Sequence, residues 1–425
     1  MDVFQIEGPV RLSGRVEVNG SKNASLPIMA AALLAPGRST LLGIPRLADI
    51  NVCRELIAQL GCPVERHDDG MMTIDATTID NPVGPYDIVR KMRASICILG
   101  PLLTRCRRAE VSMPGGCAIG DRPINLHLSG LRQLGAEIHL KNGYVIAEAP
   151  NGLIGASIFL GGSFGSTVLG TANVMMAATL AKGKTIIESA ACEPEIADLA
   201  NCLNAMGARI SGIGSPRLVI DGVKQLRPVQ YRVIPDRIEA GTFMAAAAIT
   251  GGEVEIANSR PDDLMAVVDK MRNIGITVET NGEGCTVVGK GRPRPSDITT
   301  QPYPGFPTDL QAQFMTLLAL AEGNSVVIEK IFPDRFMHVA ELNRMAANLR
   351  KEGSAVIVAG AGKLIAAPVM ASDLRASAAL VLAGLAAEGT TTVNRVYHID
   401  RGYERIEERL NPLGAKIRRE EGGSV

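Results

Sequence analysis

The stretch Ser112-Met-Pro-Gly-Gly-Cys117-Ala-Ile-Gly-Asp-Arg122-Pro123 sets one thiol and one guanidinium among three glycines and two prolines. Glycine adds backbone freedom and proline removes a donor, so no regular element fits, and a mobile loop is expected after the strand-like start at Val111. Such a loop either carries Cys117 and Arg122 to a substrate or is a surface turn around an inert cysteine. Other charged residues recur at matched places: Lys22, Arg93, Arg237, Asp309 and Arg375, with Thr167 as the uncharged sixth, each open an apolar stretch rich in small residues. Arg46, Arg122, Arg260, Arg335 and Arg401 form a second set, each 13 to 18 residues before a recurring glycine. If the apolar stretches are parallel helices, their positive N-terminal ends and these cations converge. Charge-assisted, often bidentate bonds would then hold phosphate and carboxylate, and the ligand carries several negative charges. For any one arginine the alternative is a local structural pair, Asp334 with Arg335 or Asp400 with Arg401.

The elements that must position these side chains repeat six times. Gln59-Leu-Gly61-Cys-Pro-Val, Gln133-Leu-Gly135-Ala-Glu-Ile, Ala205-Met-Gly207-Ala-Arg-Ile, Asn273-Ile-Gly275-Ile-Thr-Val, Lys351-Glu-Gly353-Ser-Ala-Val and Pro412-Leu-Gly414-Ala-Lys-Ile share one pattern, with glycine spacings of 74, 72, 68, 78 and 61 residues. Before the glycine, apolar residues fall at helical spacing, as in Ile196, Leu199, Leu203 and Met206, or Tyr403, Ile406, Leu410 and Leu413. Glycine just past the last helical turn ends the helix, and a strand follows. Each repeat opens with a second helix, over 24–35, 94–103, 168–181, 241–250, 310–321 and 376–387, apolar nearly all round and therefore buried. The fold class is α/β, with three repeats per domain and a break within 225–235. The opening strands, around Phe4 and Arg15, suit either half.

Lys plus Arg and Asp plus Glu balance at 44 each, aromatics are 3% and Trp is absent, which argues against nucleic-acid partners. The eight cysteines form no C-x-x-C, so reduced thiols are expected rather than disulfides or zinc. The N-terminus lacks a signal-peptide pattern and no apolar run reaches the ~18 residues of a membrane span, which predicts a cytoplasmic protein with no membrane partner. No G-x-x-x-x-G-K-[ST] or H-E-x-x-H occurs, and Gly161-Gly-Ser-Phe-Gly165 has neither P-loop nor dinucleotide spacing. His338 and His398 are expected to bond backbone. Oligomeric state is not legible.

Taken together, Asn19-Gly-Ser-Lys22-Asn23-Ala-Ser-Leu-Pro, Met92-Arg93-Ala-Ser, Pro114-Gly-Gly-Cys117-Ala-Ile-Gly-Asp-Arg122-Pro, Pro235-Asp-Arg-Ile-Glu-Ala-Gly-Thr, Phe306-Pro-Thr-Asp309-Leu-Gln-Ala-Gln, Arg335-Phe-Met-His-Val, Asp373-Leu-Arg375-Ala-Ser and Tyr397-His-Ile-Asp-Arg401-Gly-Tyr-Glu-Arg resemble the UDP-N-acetylglucosamine 1-carboxyvinyltransferase family over essentially the whole chain. The resemblance implies two inside-out α/β barrel, prism-like domains of three βαβαββ-type units, 21–234 and 1–20 plus 235–425, with an active cleft between them. It implies transfer of the enolpyruvyl group of phosphoenolpyruvate to the sugar 3-hydroxyl, with small-molecule substrates and no metal or organic cofactor. In the sister family acting on shikimate 3-phosphate, serine typically follows the early lysine and no such cysteine loop is present. A non-catalytic paralogue that binds UDP-sugars is the alternative from another class.

By the same resemblance, Lys22, Asn23, Arg122 and Arg401 contact phosphoenolpyruvate, with Arg335 and Arg375 near its carboxylate. Arg93, Arg122, Pro123, Ile124, Asn125, Leu126, Thr167, Val168, Asp309 and Ile331 contact UDP-N-acetylglucosamine. Cys117, Asp309, Lys22 and Arg401 are the catalytic set. Protonating a vinyl phosphate at carbon needs a placed acid and fixed charges around the cation-like centre. Cys117 suits the acid, its thiol pKa of ~8.5 lowered by arginines, and Asp309 suits the acceptor of the hydroxyl proton. Asp309 or Thr308 is alternatively a helix N-cap. Two departures from the family pattern are Gly161-Gly-Ser-Phe-Gly-Ser-Thr167-Val-Leu-Gly170-Thr, where Ser-Val-Gly-Ala-Thr is usual, and Asn125, where aspartate is common.

Overall fold

The structure, a computed structural model, describes residues 2–115 and 123–421. It divides into two compact units, one holding residues 20–115 and 123–234 and the other 2–19 and 235–421. Each unit has its own apolar core. The interior of each is formed by helices buried on nearly every side and apolar over most of their length. In the first unit these are Lys22–Ala31, Leu99–Cys106 and Val168–Ala178; in the second, Arg237–Ile249, Gln311–Leu318 and Leu374–Ala386. All 13 residues of Arg237–Ile249 are buried, which an all-round apolar helix requires. Small residues let such helices approach closely. A Cβ on Gly100 would stand 2.5 Å from the carbonyl oxygen of Asn173, and one on Gly241 would stand 2.3 Å from the Leu310 side chain. The second helix does not run continuously over 94–103. A 3-10 turn, Arg93–Ile98, precedes Leu99–Cys106, and Asn173 satisfies the junction by donating to Ile96 O at 2.8 Å and accepting from Gly100 N at 2.7 Å.

Among the described residues, six four-stranded sheets share one plan: an edge strand runs parallel to the strand after the buried helix, and two antiparallel strands complete the sheet. Along Lys184–Glu188 alternate residues are buried and half-exposed, so one face covers the helices and the other meets solvent. The sheets remain separate, so among the described residues neither unit contains a closed barrel. Two edge strands change places. Ser13–Glu17 lies just ahead of Lys22–Ala31 in the chain, yet it pairs in parallel with Glu253–Ala257 of the second unit. Gln230–Arg232 lies just ahead of Arg237–Ile249, yet it pairs with Arg38–Leu42 of the first. Asp2–Gly8 sits inside a sheet of the second unit, between Gly389–Asn394 and Ile417–Glu421.

Five of the six repeat glycines behave as the pattern requires: Gly61, Gly135, Gly207, Gly275 and Gly414 all have φ between 88° and 104° past a helix. Gly353 does not. It lies in the hairpin between Asn348–Glu352 and Ala355–Ala359. The helix stop of the fifth repeat is Ala346, with φ 64°, after His338–Arg344. Alanine there hides the repeat from a search for glycine, and the true spacings on either side are 71 and 68 residues.

Candidate active site

In the unit of residues 2–19 and 235–421, the starts of the buried helices carry one continuous polar cluster. Asp373 caps Leu374–Ala386, accepting from the backbone of Arg375 at 2.9 Å and Ala376 at 3.2 Å. This fixes Arg375 in the first turn, where the helix dipole disfavours a cation, so its charge needs compensation from elsewhere. Asp309 supplies it. Its Oδ2 lies 3.5 Å from Arg375 Nη2, and its Oδ1 accepts from Arg335 Nη1 at 2.8 Å. Asp309 lies in the 3-10 turn Thr308–Leu310 ahead of Gln311–Leu318, and neither Pro307 before the turn nor Leu310 before the helix makes a side-chain cap. Neither Asp309 nor Thr308 is therefore an N-cap. Asp309 bridges two guanidiniums, which hold its oxygens in place while about a quarter of the side chain stays open to solvent. Thr308 Oγ1 accepts from Arg335 and donates to the buried carboxylate of Glu329 at 2.9 Å. Glu329 also accepts from the backbone of Ile331 at 2.8 Å and Phe332 at 3.0 Å, fixing the turn that carries Ile331.

The local pairs expected as alternatives do not form as stated. Arg335 pairs with Asp309 and, at 3.9 Å, with Asp373 rather than with Asp334. Asp400 takes both outer nitrogens of Arg419, at 2.9 and 2.6 Å, in place of its neighbour Arg401. Sequence adjacency misleads here because side chains of consecutive residues leave the backbone in different directions. His338 also departs from expectation. It opens the helix His338–Arg344, buried, with neither ring nitrogen hydrogen-bonded among the described residues, and His398 Nδ1 is likewise unpartnered. Burial, with Arg335 nearby, drives the His338 imidazole down to about 4 despite Asp373, so it is neutral at physiological pH and leaves the positive charge to the arginines.

In the unit of residues 20–234, Ser21 caps Lys22–Ala31 and Lys22 is its first residue, nine-tenths buried. A second cation thus stands at a helix start, here paired with Asp49 at 2.7 Å. Asn23 and Arg93 are half-buried, and Arg93 opens its 3-10 turn. Thr167 caps Val168–Ala178 through Gly170 N at 3.2 Å, so it is a cap where its counterparts in other repeats are helical residues. The hairpin Gly161–Gly162 with Gly165–Ser166 leads into that helix start. Pro123 and Asn125 are exposed, Ile124 is buried and Leu126 is half-buried at the start of Asn125–Gln133. Cys117 and Arg122 lie outside the described residues.

Asp309, Arg335 and Arg375 are therefore brought together, with Ile331 tied in through Glu329, while Lys22 has Asp49. Arg401 ends the 3-10 turn Val396–Arg401, half-buried. Sequence reasoning missed Asp49, Asp373 as a cap and ion partner, Glu329 and Tyr403. Asp373 and Tyr403 stood within recurring motifs, but nothing in spacing distinguishes a carboxylate or phenol that serves an arginine from one that faces solvent.

A family profile described as EPSP synthase (3-phosphoshikimate 1-carboxyvinyltransferase) matches residues 6–410. The chain is 55% identical over 420 residues to the UDP-N-acetylglucosamine 1-carboxyvinyltransferase of Trichlorobacter lovleyi, covering 99% of both chains. It is 53% identical to the protein of the same name from an Anaeromyxobacter species, over 99% of this chain and 100% of the relative. Among solved structures, the enolpyruvyl transferase NikO from Streptomyces tendae is similar with a TM-score of 0.89 at 25% identity, covering 98% of each chain. EPSP synthase from Acinetobacter baumannii, at 20% identity and a TM-score of 0.75 over 99% of this chain and 100% of that one, shares the fold. The chain therefore belongs to the EPSP synthase family of enolpyruvyl transferases and, within it, to the UDP-N-acetylglucosamine 1-carboxyvinyltransferases.

Proposed function

We infer that this chain transfers the enolpyruvyl group of phosphoenolpyruvate to the 3-hydroxyl of UDP-N-acetylglucosamine, releasing phosphate, in the cytoplasmic synthesis of peptidoglycan precursors. The observation that carries the reading is full-length identity above 50% to enzymes of that name, over a chain that keeps a carboxylate fastened between two arginines. In the reaction the sugar oxygen bonds to C2 of the enol and gives up its proton, while C3 gains one. The adduct then loses a proton from C3 and its C2–O bond to phosphate, restoring the double bond. Asp309 accepts the hydroxyl proton, and Cys117 supplies the proton to C3. Lys22, Asn23, Arg122 and Arg401 hold the phosphate end of phosphoenolpyruvate, with Arg335 and Arg375 at its carboxylate. Arg93, residues 122–126, Thr167, Val168, Asp309 and Ile331 hold the sugar nucleotide. Fixed cations stabilise charge best where they are already oriented before the substrate arrives, and both Arg335 and Arg375 are so oriented.

A phosphate-release assay with phosphoenolpyruvate and a panel of acceptors tests the reading. Release is expected with UDP-N-acetylglucosamine. Release with shikimate 3-phosphate alone would assign the sister activity, and no release with any acceptor would make the chain a binding-only paralogue.

A further inference from the structure

Tyr403 falls at an apolar helical position in the sequence and within the motif that ends at Arg405, yet it lies outside the helix Ile406–Leu410, buried to 1% exposure, with its hydroxyl in the middle of a polar chain. Arg375 Nη1 donates to the phenol oxygen at 3.0 Å, and Gln313 Nε2 reaches it at 3.4 Å and Thr242 Oγ1 at 3.1 Å. The 2.8 Å contact between Tyr403 and Thr242 fits donation either way, but the rest of the chain fixes its direction. Thr242 Oγ1 has one hydrogen and gives it to Ile238 O at 2.9 Å. The phenol must therefore donate to Thr242, leaving its lone pairs for Arg375. The order of donation runs from Arg375 to Tyr403, then Thr242, and ends on a backbone carbonyl in the first turn of Arg237–Ile249.

A guanidinium that is to bind an anionic substrate must be held without being neutralised. Asp309, shared with Arg335, already faces Nη2, and a second carboxylate at Nη1 would add a further negative charge, whereas a phenol accepts the hydrogen bond and adds none. With Nη1 on Tyr403 and Nη2 toward Asp309, the guanidinium plane is fixed at two points. We propose that Tyr403 is a positioning residue, which aims the Arg375 guanidinium at the carboxylate of phosphoenolpyruvate. The proposal rests on the reading of Arg375 given above.

Tyr403→Phe removes the acceptor and keeps the ring. The KM for phosphoenolpyruvate is expected to rise on the order of tenfold, because a hydrogen bond to a charged group is lost, while kcat and the KM for UDP-N-acetylglucosamine move by less than about threefold. Thr242→Val is the control: it removes a buried polar contact of the same network, lowers the melting temperature comparably, and leaves Arg375 bonded to the phenol. An unchanged phosphoenolpyruvate KM in Tyr403→Phe, or an equal rise in both variants, overturns the proposal. A wild-type chain that shows no turnover sinks the functional reading instead. Phosphoenolpyruvate affinity by calorimetry, with UDP-N-acetylglucosamine present, then decides the role of Tyr403. Absence of binding by the wild type overturns both.

Discussion

Among the described residues Asp309 pairs with two cations and accepts from no helix-end N–H group, which changes what its substitution can report. As proton acceptor, Asp309→Asn lowers kcat on the order of 10² to 10⁴. If it served only to fasten Arg335 and Arg375, the same change would raise the KM for phosphoenolpyruvate and leave kcat close to normal. Steady-state kinetics separates the two, and a kcat fall of the first kind is expected. Stability falls by about 1 kcal/mol rather than the larger loss of a fully buried pair, since the carboxylate is partly solvated. The thiols give a second expectation. Burial raises all seven described cysteines above their ordinary value, Cys62 to about 11 and Cys97 and Cys202 to about 12, so little thiolate exists on them at pH 7.5. An alkylator of the fosfomycin kind is expected to label Cys117 first. Peptide mapping that finds Cys106 or Cys192 labelled ahead of it would remove Cys117 as the reactive thiol.

The helix stop of the fifth repeat uses a residue poorly suited to its backbone. Ala346 at φ 64° carries a Cβ in the left-handed region, where the other five stops carry glycine. Ala346→Gly is expected to stabilise by about 0.5–1 kcal/mol, relief of the steric clash exceeding the added chain entropy. A urea midpoint shifted downward would contradict this. The first turn of Arg237–Ile249 holds a different strain, this one electrostatic. Glu239 is buried and accepts from Asn19 N at 2.7 Å, with Arg409 at 3.6 Å. Burial dominates, aided by Asp236 and Glu404 and opposed by Arg409 and Asn19, and lifts its carboxyl from 4.5 to about 7. A folded value above the unfolded one means that folding favours the protonated form. The stability it adds is complete below pH 4.5 and lost as pH rises through 7. Glu239→Gln, which cannot ionise, is therefore expected to gain on the wild type by roughly 3 kcal/mol between pH 4.5 and 8, read from urea unfolding. Parallel pH curves would show that Arg409 and Asn19 keep Glu239 ionised.

The second unit depends on both ends of the chain. Asp2–Gly8 is an inner strand of one of its sheets, hydrogen-bonded on both edges, and Ser13–Glu17 forms the edge of another. Phe4 and Ile6 are fully buried in its core, and their removal would leave a cavity that side chains alone cannot fill. Deleting residues 1–8 is expected to abolish amide protection across 235–421 and to spare 20–234, whose apolar core is composed of its own residues. Hydrogen exchange that shows equal loss in both halves would mean that the two cores do not unfold independently. Among the described residues no helix is long and apolar enough to cross a membrane.

The sequence alone determined the six repeats, the buried helices and most of their stops, because helical periodicity, all-round apolar faces and a glycine at a left-handed position are local consequences of side-chain shape. It also carried the motifs that mark the family, including Lys22, Asp309, Arg335 and Arg375 as charged residues at corresponding places. Tertiary structure alone decided what those charges touch. Asp309 meets Arg335 and Arg375 from 26 and 66 residues away, and Arg375 meets Tyr403 from 28. It also decided which sheet receives Ser13–Glu17 and Gln230–Arg232, since an edge strand reads the same whichever neighbour it joins. Partner choice depends on which backbone edge is free and which charge is unmet once the helices are buried, and both are properties of the assembled chain.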